Sequence, residues 1–225
     1  MRPVAHIESP CREKFGIPRQ SGLAPALVSR LVFEPEYRRA EAVRGLEGFS
    51  HIWLIWRFHL NDGRAWSPTV RPPRLGGNAR MGVFATRSPF RPNSLGLSAV
   101  ALKRVEPDAP EGPVLLLEGA DLADGTPIYD IKPYLPYADA VPDARSGFVD
   151  EHASPLLAVR RAENLSLPEA CTPEWLRTLE QLIAQDPRPA CQRNTNRIHH
   201  LSLAPCEAAF RVEGGTAIIL SISPS

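Results

Sequence analysis

At 225 residues the chain can bury a full hydrophobic core, and 43% hydrophobic with 23% charged residues is ordinary globular composition, which excludes long disorder. A net charge of +1 excludes a protein that holds nucleic acid by bulk basicity alone. Any basic surface has to be local: Arg57, Arg64, Arg71, Arg74, Arg80, Arg87 and Arg91 crowd residues 57–91 against one acid, Asp62, which points to an anionic ligand.

Twenty-four prolines punctuate the chain and forbid long helices over most of it. Val4 to Glu8 and Ala26 to Phe33 read as strands on either side of a Pro/Gly-rich loop, and Glu36 to Val43 as a brief helix ended by Gly45 and Gly48. FSHIWLIWRFHL (49–60) is apolar on both alternating faces, as in a strand covered on both sides. A buried helix would share that pattern, but the aromatic and β-branched bias favours the strand. Residues 61–80 form a long loop rich in Pro, Gly and Arg, and Met81 to Thr86 is the next expected strand. Leu95, Leu97, Ala99 and Ala101 follow with period two, then Val114 to Glu118 and Ile128 to Lys132. Short strands joined by turns predict a closed sheet, because closure removes exposed edges.

After about residue 150 the pattern changes. Thr172-Pro173-Glu174 opens a helix with an N-cap threonine, proline at the first helical position and an acid in the first turn. Trp175, Leu176, Leu179, Leu182 and Ile183 continue it at helical spacing until Asp186-Pro187. Residues 197–203, 206–212 and 216–221 read as strands. The predicted fold class is mostly β: a β-barrel N-terminal domain (1–150) with a small α+β C-terminal domain (151–225).

Four cysteines, Cys11, Cys171, Cys191 and Cys206, are scattered without a C-x-x-C pair, which argues against a disulfide scaffold or a zinc ribbon. The six histidines form no H-x-x-x-H pair, so no metal site is predicted. No signal pattern or membrane-length apolar run is present, and a cytoplasmic, reducing setting is the expectation. No G-x-G-x-x-G follows a strand and no P-loop occurs, so a Rossmann-type or P-loop nucleotide site is unsupported. The polar residues gather instead in four irregular segments: 16–22, 66–81, 85–98 and 121–136. Long loops on a rigid sheet are where sites are built.

Together, GIPRQSGL, EGFSHIWL, PTVRPPRLGGNARMGVFATRSPFRPNSLGLS and DGTPIYDIKPYLPYAD resemble the signature blocks of the TrmO family of tRNA adenosine N6-methyltransferases. The resemblance runs in register over residues 1–140 and continues more loosely through DPRPA (186–190). It implies a β-barrel methyltransferase acting as a homodimer, with S-adenosylmethionine as cofactor. The implied substrate is the tRNA anticodon loop, at adenosine 37 already carrying N6-threonylcarbamoyl. Carried over by motif, the cofactor site is Pro18, Arg19, Gln20, His59, Leu60, Arg87 and Leu97, completed by Leu122, Ala123, Asp124, Gly125 and Thr126.

A guanidinium such as Arg87 suits a carboxylate or an adenine face; a salt bridge in the barrel mouth is the competing reading. Asp130 is the candidate general base with Tyr129 orienting it, against the plainer possibility that Asp130 bonds Lys132. RNA contact falls to Arg71, Arg74, Arg80, Arg91 and Lys132, with Arg188, Arg193 and Arg197 as the C-terminal share. The chain departs from the family where it reads Asn196-Arg197-Ile198-His199-His200, since the family tends to place tyrosine shortly after the arginine. The alternatives are a noncatalytic S-adenosylmethionine- or RNA-binding module and a small-molecule methyltransferase.

Overall fold

The computed structural model describes residues 1–77, 79–152, 155–189 and 197–225. Six antiparallel strands close into a barrel: β1 (Ala5–Glu8), β2 (Val28–Phe33), β3 (His51–Arg57), β6 (Leu95–Glu106), β7 (Val114–Glu118) and β8 (Pro127–Pro133), in the order β1-β2-β7-β6-β3-β8. A two-stranded ribbon of β4 (Thr69–Val70) and β5 (Met81–Gly82) stands in the long arginine-rich connection. Two single-turn helices follow the barrel, α1 (Pro136–Asp139) and α2 (Phe148–Glu151). The second unit contains β9 (Ala158–Arg161), α3 (Pro173–Ala184), β10 (His199–Leu203), β11 (Cys206–Glu213) and β12 (Thr216–Pro224). Its sheet runs β10-β11-β12-β9, with β9 parallel to β12.

The barrel interior is filled by alternate residues of each strand, among them Ile7, Leu31, Ile52, Leu54, Val100, Leu115, Leu117 and Ile128, all fully buried. β3 shows why residues 49–60 look apolar on both faces. Ile52, Leu54 and Trp56 point into the core. On the other face Trp53 is half covered by Tyr134, with ring centroids 5.5 Å apart, and Ile55 lines a cavity. The apolar outer face therefore marks a packing contact and a binding wall rather than a second core.

Two expected elements differ in the structure. Glu36 to Val43 is two 3-10 turns, Pro35–Tyr37 and Ala40–Val43, because Arg38 and Arg39 between them leave the helical region. Met81 to Thr86 is a strand only at Met81–Gly82; Val83–Ala85 then turns, and Arg91 braces that turn by donating to the carbonyls of Val83 and Thr86.

The second unit packs α3 on its sheet through Trp175, Leu176, Leu179, Leu182 and Ile183. Thr172 accepts a hydrogen bond from Trp175 N–H at 3.2 Å, capping the helix start. Thr172→Ala is expected to lower stability by about 1 kcal/mol, read as a lower melting temperature with unchanged ligand binding.

The core of this unit also takes Cys11, Ala24 and Leu27 from the first part of the chain. Residues 9–27 are tied to it by hydrogen bonds as well. Gln181 Oε1 accepts from Ala26 N–H (2.8 Å), Thr178 Oγ1 donates to Ala26 O (3.0 Å), and Ala204 N–H donates to Pro10 O (2.9 Å). The loop carrying Pro18–Gln20 is thus anchored by the C-terminal unit. Among the described residues no helix is long and apolar enough to cross a membrane, and no group of three or more His, Cys, Asp or Glu side chains is placed to hold a metal ion.

Candidate functional site

Four segments far apart in sequence converge on a cavity of about 630 Å³ at the barrel mouth, a size suited to a small organic ligand. The loop before β2 brings Ile17, Pro18, Arg19 and Gln20. The end of β3 and the 3-10 turn His59–Asn61 bring Ile55, Trp56, Phe58, His59 and Leu60. The loop into β6 brings Thr86, Arg87, Pro89 and Arg91, and β6 itself Leu95 to Ser98. The turn after β7 brings Asp121, Ala123 and Thr126.

Of the residues named from the sequence, Pro18, Arg19, Gln20, His59, Leu60, Arg87, Leu97, Ala123 and Thr126 line this cavity. The others support its floor. Leu122 is in the barrel core. Asp124 ties the turn to the N-terminal segment: its Oδ1 accepts from Ser9 N–H (2.9 Å) and its own N–H donates to Cys11 O (2.9 Å). Gly125 has a φ of +71°, left-handed backbone that favours glycine, and its N–H donates to Ile7 O at 2.7 Å. A side chain there would begin 4.0 Å from His59 Nε2. Thr126 closes the turn by donating from Oγ1 to Ala123 O at 2.7 Å.

The wall is cationic. Lys14, Arg19, Arg87 and Arg91 line it, and Arg87 is steered by a hydrogen bond to Gln20 Oε1. Lys14 is lowered from its ordinary pKa by burial and by Arg64 nearby. His59 is lowered by burial, which favours its neutral imidazole. Arg19 reaches out of the loop to donate to Asp186 O at 2.8 Å, joining the cavity wall to the end of α3.

Asp130 and Tyr129, read from the sequence as base and orienting group, do not line the cavity. The Asp130 carboxylate faces Lys132 Nζ at 3.0 Å and accepts from Ile131 N–H, while Tyr129 lies beside Arg57. The plainer reading of Asp130 as a partner of Lys132 is the one the geometry favours.

The arginines expected at RNA divide. Arg71 and Arg80 are exposed and Arg74 is half-buried; Arg80 donates to Thr69 Oγ1 and Arg74 to His152 O, both at 3.0 Å. Arg91 is turned toward the backbone of residues 83–86. Arg188 is 5% exposed and pairs with Asp186 at 2.7 Å, so it stabilises the turn after α3 instead of offering a free surface charge. Arg197 is exposed and borders a shallow hollow with Phe15, His199 and His200. Arg193 lies outside the described residues.

Asp121, Ser98 and Trp56 were not singled out from the sequence. Ser98 and Trp56 are alternate residues of strands, indistinguishable there from ordinary core positions. Trp56 Nε1–H donates to Ser98 Oγ at 3.1 Å. Asp121 is held above the usual carboxylate range by burial, partly offset by the Ser98 hydroxyl.

Known proteins share this architecture. Residues 6–140 match the family described as tRNA-methyltransferase O N-terminal domain, and residues 157–225 match the TrmO C-terminal domain. A protein of Escherichia coli named tRNA (adenine(37)-N6)-methyltransferase is 42% identical over 227 residues, covering 98% of this chain and 96% of the relative. One from Eikenella corrodens with the same name is 51% identical over 174 residues, covering 77% of this chain and 97% of the relative. A crystal structure of TrmO from Pseudomonas aeruginosa superposes with a TM-score of 0.80 at 36% identity, covering 99% of this chain and 96% of that one. A Pyrococcus abyssi relative, named "Probable S-adenosyl-L-methionine-binding protein", is 36% identical over 71% of this chain and 80% of its own length. With both family domains matched in order and the barrel reproduced, this chain belongs to the TrmO family.

Proposed function

We propose that this chain is an S-adenosylmethionine-dependent tRNA methyltransferase that methylates N6 of adenosine 37 when that base already carries threonylcarbamoyl. The observation that carries the proposal is the single cavity into which Pro18–Gln20, His59, Leu60, Arg87, Leu97 and the turn ending at Thr126 converge. The relatives named tRNA (adenine(37)-N6)-methyltransferase and the S-adenosylmethionine-binding name of the archaeal relative support the reaction and the cofactor.

The residues present fit that cofactor. Its carboxylate suits the Arg87 guanidinium, and its adenine suits the apolar wall of Leu95 and Leu97 beside backbone groups of the 121–126 turn. When bound, it supplies an electrophilic methyl group on a sulfonium. The chain's own contribution is alignment in a site screened from water: Ile17, Phe58 and Trp56 exclude solvent, and Gln20 fixes Arg87. Arg71, Arg74 and Arg80 on the exposed connection, with Arg197 on the second unit, are placed to meet phosphates while the base is read in the pocket.

A homodimer is supported by the family resemblance and by Leu60 and Leu97, 39% and 56% exposed at the cavity wall, an apolar rim suited to cover by RNA or a second chain. A cytoplasmic setting agrees with Cys11, Cys171 and Cys206 all being free thiols.

Purified protein with methyl-labelled S-adenosylmethionine should label tRNA from normal cells and leave unlabelled tRNA from cells unable to make threonylcarbamoyladenosine. Equal labelling of both would reject the requirement for the prior modification. Cofactor binding without transfer would favour the noncatalytic module.

A further inference from the structure

Asp121 is the only acid among the described residues lining the cavity, where Lys14, Arg19, Arg87 and Arg91 supply positive charge. Its Oδ1 is closed to solvent, so a group in the cavity meets this carboxyl through Oδ2. The donor on its flank is accounted for: Trp56 Nε1–H occupies Ser98 Oγ as an acceptor, which leaves the Ser98 hydroxyl hydrogen for the Asp121 carboxylate. Arg87 is near enough for its field to act on Asp121, yet it donates to Gln20 and makes no ion pair with Asp121 among the described residues.

That arrangement is a cation and an anion held apart on one wall. An α-amino acid carries its carboxylate and ammonium on a single carbon, so a receptor for it needs opposite charges close together but not neutralising each other. We propose that Asp121 and Arg87 form a two-charge clamp for the amino-acid end of the cofactor, Asp121 accepting from the α-ammonium and Arg87 donating to the carboxylate. The clamp rests on the S-adenosylmethionine reading of the cavity and extends it to a residue that none of the motif blocks singles out.

Burial raises the Asp121 carboxyl, and an ammonium beside it draws that carboxyl back down. Binding in the pH range where that carboxyl titrates therefore releases protons from Asp121. His59, lowered by burial, shares the cavity with Lys14, Arg19, Arg87 and Arg91. Comparing wild type with Asp121→Asn removes the contribution they share.

The test is calorimetry of wild type and Asp121→Asn with three probes. S-adenosylmethionine has both cationic groups, S-adenosylhomocysteine keeps the ammonium without the sulfonium charge, and 5′-methylthioadenosine lacks the amino-acid end. Asp121→Asn is expected to weaken the first two alike, roughly thirtyfold or more, and to leave the third within about twofold. Wild type, titrated in two buffers of different ionisation heat, should release protons on binding S-adenosylhomocysteine, a readout that needs no variant to fold.

Loss of S-adenosylmethionine affinity alone would assign Asp121 to the sulfonium and overturn the clamp. Unchanged affinity for all three with slowed methyl transfer would make it a proton acceptor and overturn it equally. Absence of proton release by wild type also counts against it. Wild type binding none of the probes would instead fail the cofactor reading, and the clamp with it.

Discussion

Arg87→Ala is expected to weaken S-adenosylmethionine binding by roughly a hundredfold while leaving the melting temperature nearly unchanged. The asymmetry follows from where Arg87 stands. It lines the cavity and donates a hydrogen bond to Gln20, another wall residue, so no core contact depends on it. Removing the guanidinium deletes the fork that suits the cofactor's carboxylate and leaves that carboxylate facing an apolar gap. Arg87→Lys should fall between, because a single ammonium restores the charge without the two parallel donors. Calorimetry and thermal melts on the same preparations separate the two effects. Wild-type affinity in a folded Arg87→Ala protein would remove Arg87 from the cofactor site.

Gly96→Ala is the second substitution with a large expected effect, and it acts through the fold. Gly96 is the cross-strand partner of Trp56, and the indole lies flat over it. A Cβ at Gly96 would sit 2.3 Å from Trp56 Cε2 and 2.4 Å from Cζ2, closer than atoms can approach. Trp56 is poorly placed to yield. It is 7% exposed, packs edge-on against Phe58 with centroids 4.3 Å apart, and is pinned by its bond to Ser98. Overpacking of this kind costs about 1–3 kcal/mol or more, and displacing Trp56 also breaks the chain of hydrogen bonds leading to Asp121. Denaturation should show the loss, and calorimetry a weaker cofactor affinity. The smaller ring of Trp56→Phe should recover part of the stability in the Gly96→Ala background, a non-additive pair as expected for residues in contact. Strict additivity of the two changes would contradict the packing account.

Local chemistry was legible in the sequence where it acts over a few residues. The N-cap at Thr172 and the helical spacing through Ile183 depend on near neighbours and are realised, whereas β6 forms with its other face inward: Ser98 and Val100 are buried and Leu97 is 56% exposed. What escaped depends on partners far along the chain. The strand β9 exists because Ala158–Arg161 finds the edge of β12, and nothing in four residues announces that edge. Residues 9–25 read as a Pro/Gly-rich loop and Ala26 to Phe33 as a strand, with no sign that Cys11, Ala24 and Leu27 enter the core of the second unit.

At the candidate site the motif resemblance named residues from all four segments of the cavity wall, but it did not separate wall from support. Leu122, Asp124 and Gly125 share a turn with Ala123 and Thr126, and only the fold shows that the first is core and the next two fasten the turn to residues 7–11. Asp130 shows the converse case, a motif residue outside the cavity wall. It is an acid two residues after Ile128 in a motif-bearing strand, and Lys132 on the same face captures it. Asp121 looked like any turn aspartate, since its distinction is to be the one acid, among the described residues, in a cationic cavity.

Where the methyl group goes is measured most directly by nucleoside mass spectrometry after incubating the protein with tRNA and methyl-deuterated S-adenosylmethionine. The account predicts one deuterated methyl on the threonylcarbamoyladenosine of the anticodon loop, at N6, absent when Arg87→Ala replaces the wild type. Deuterium on a different nucleoside, or on unmodified adenosine, would contradict it.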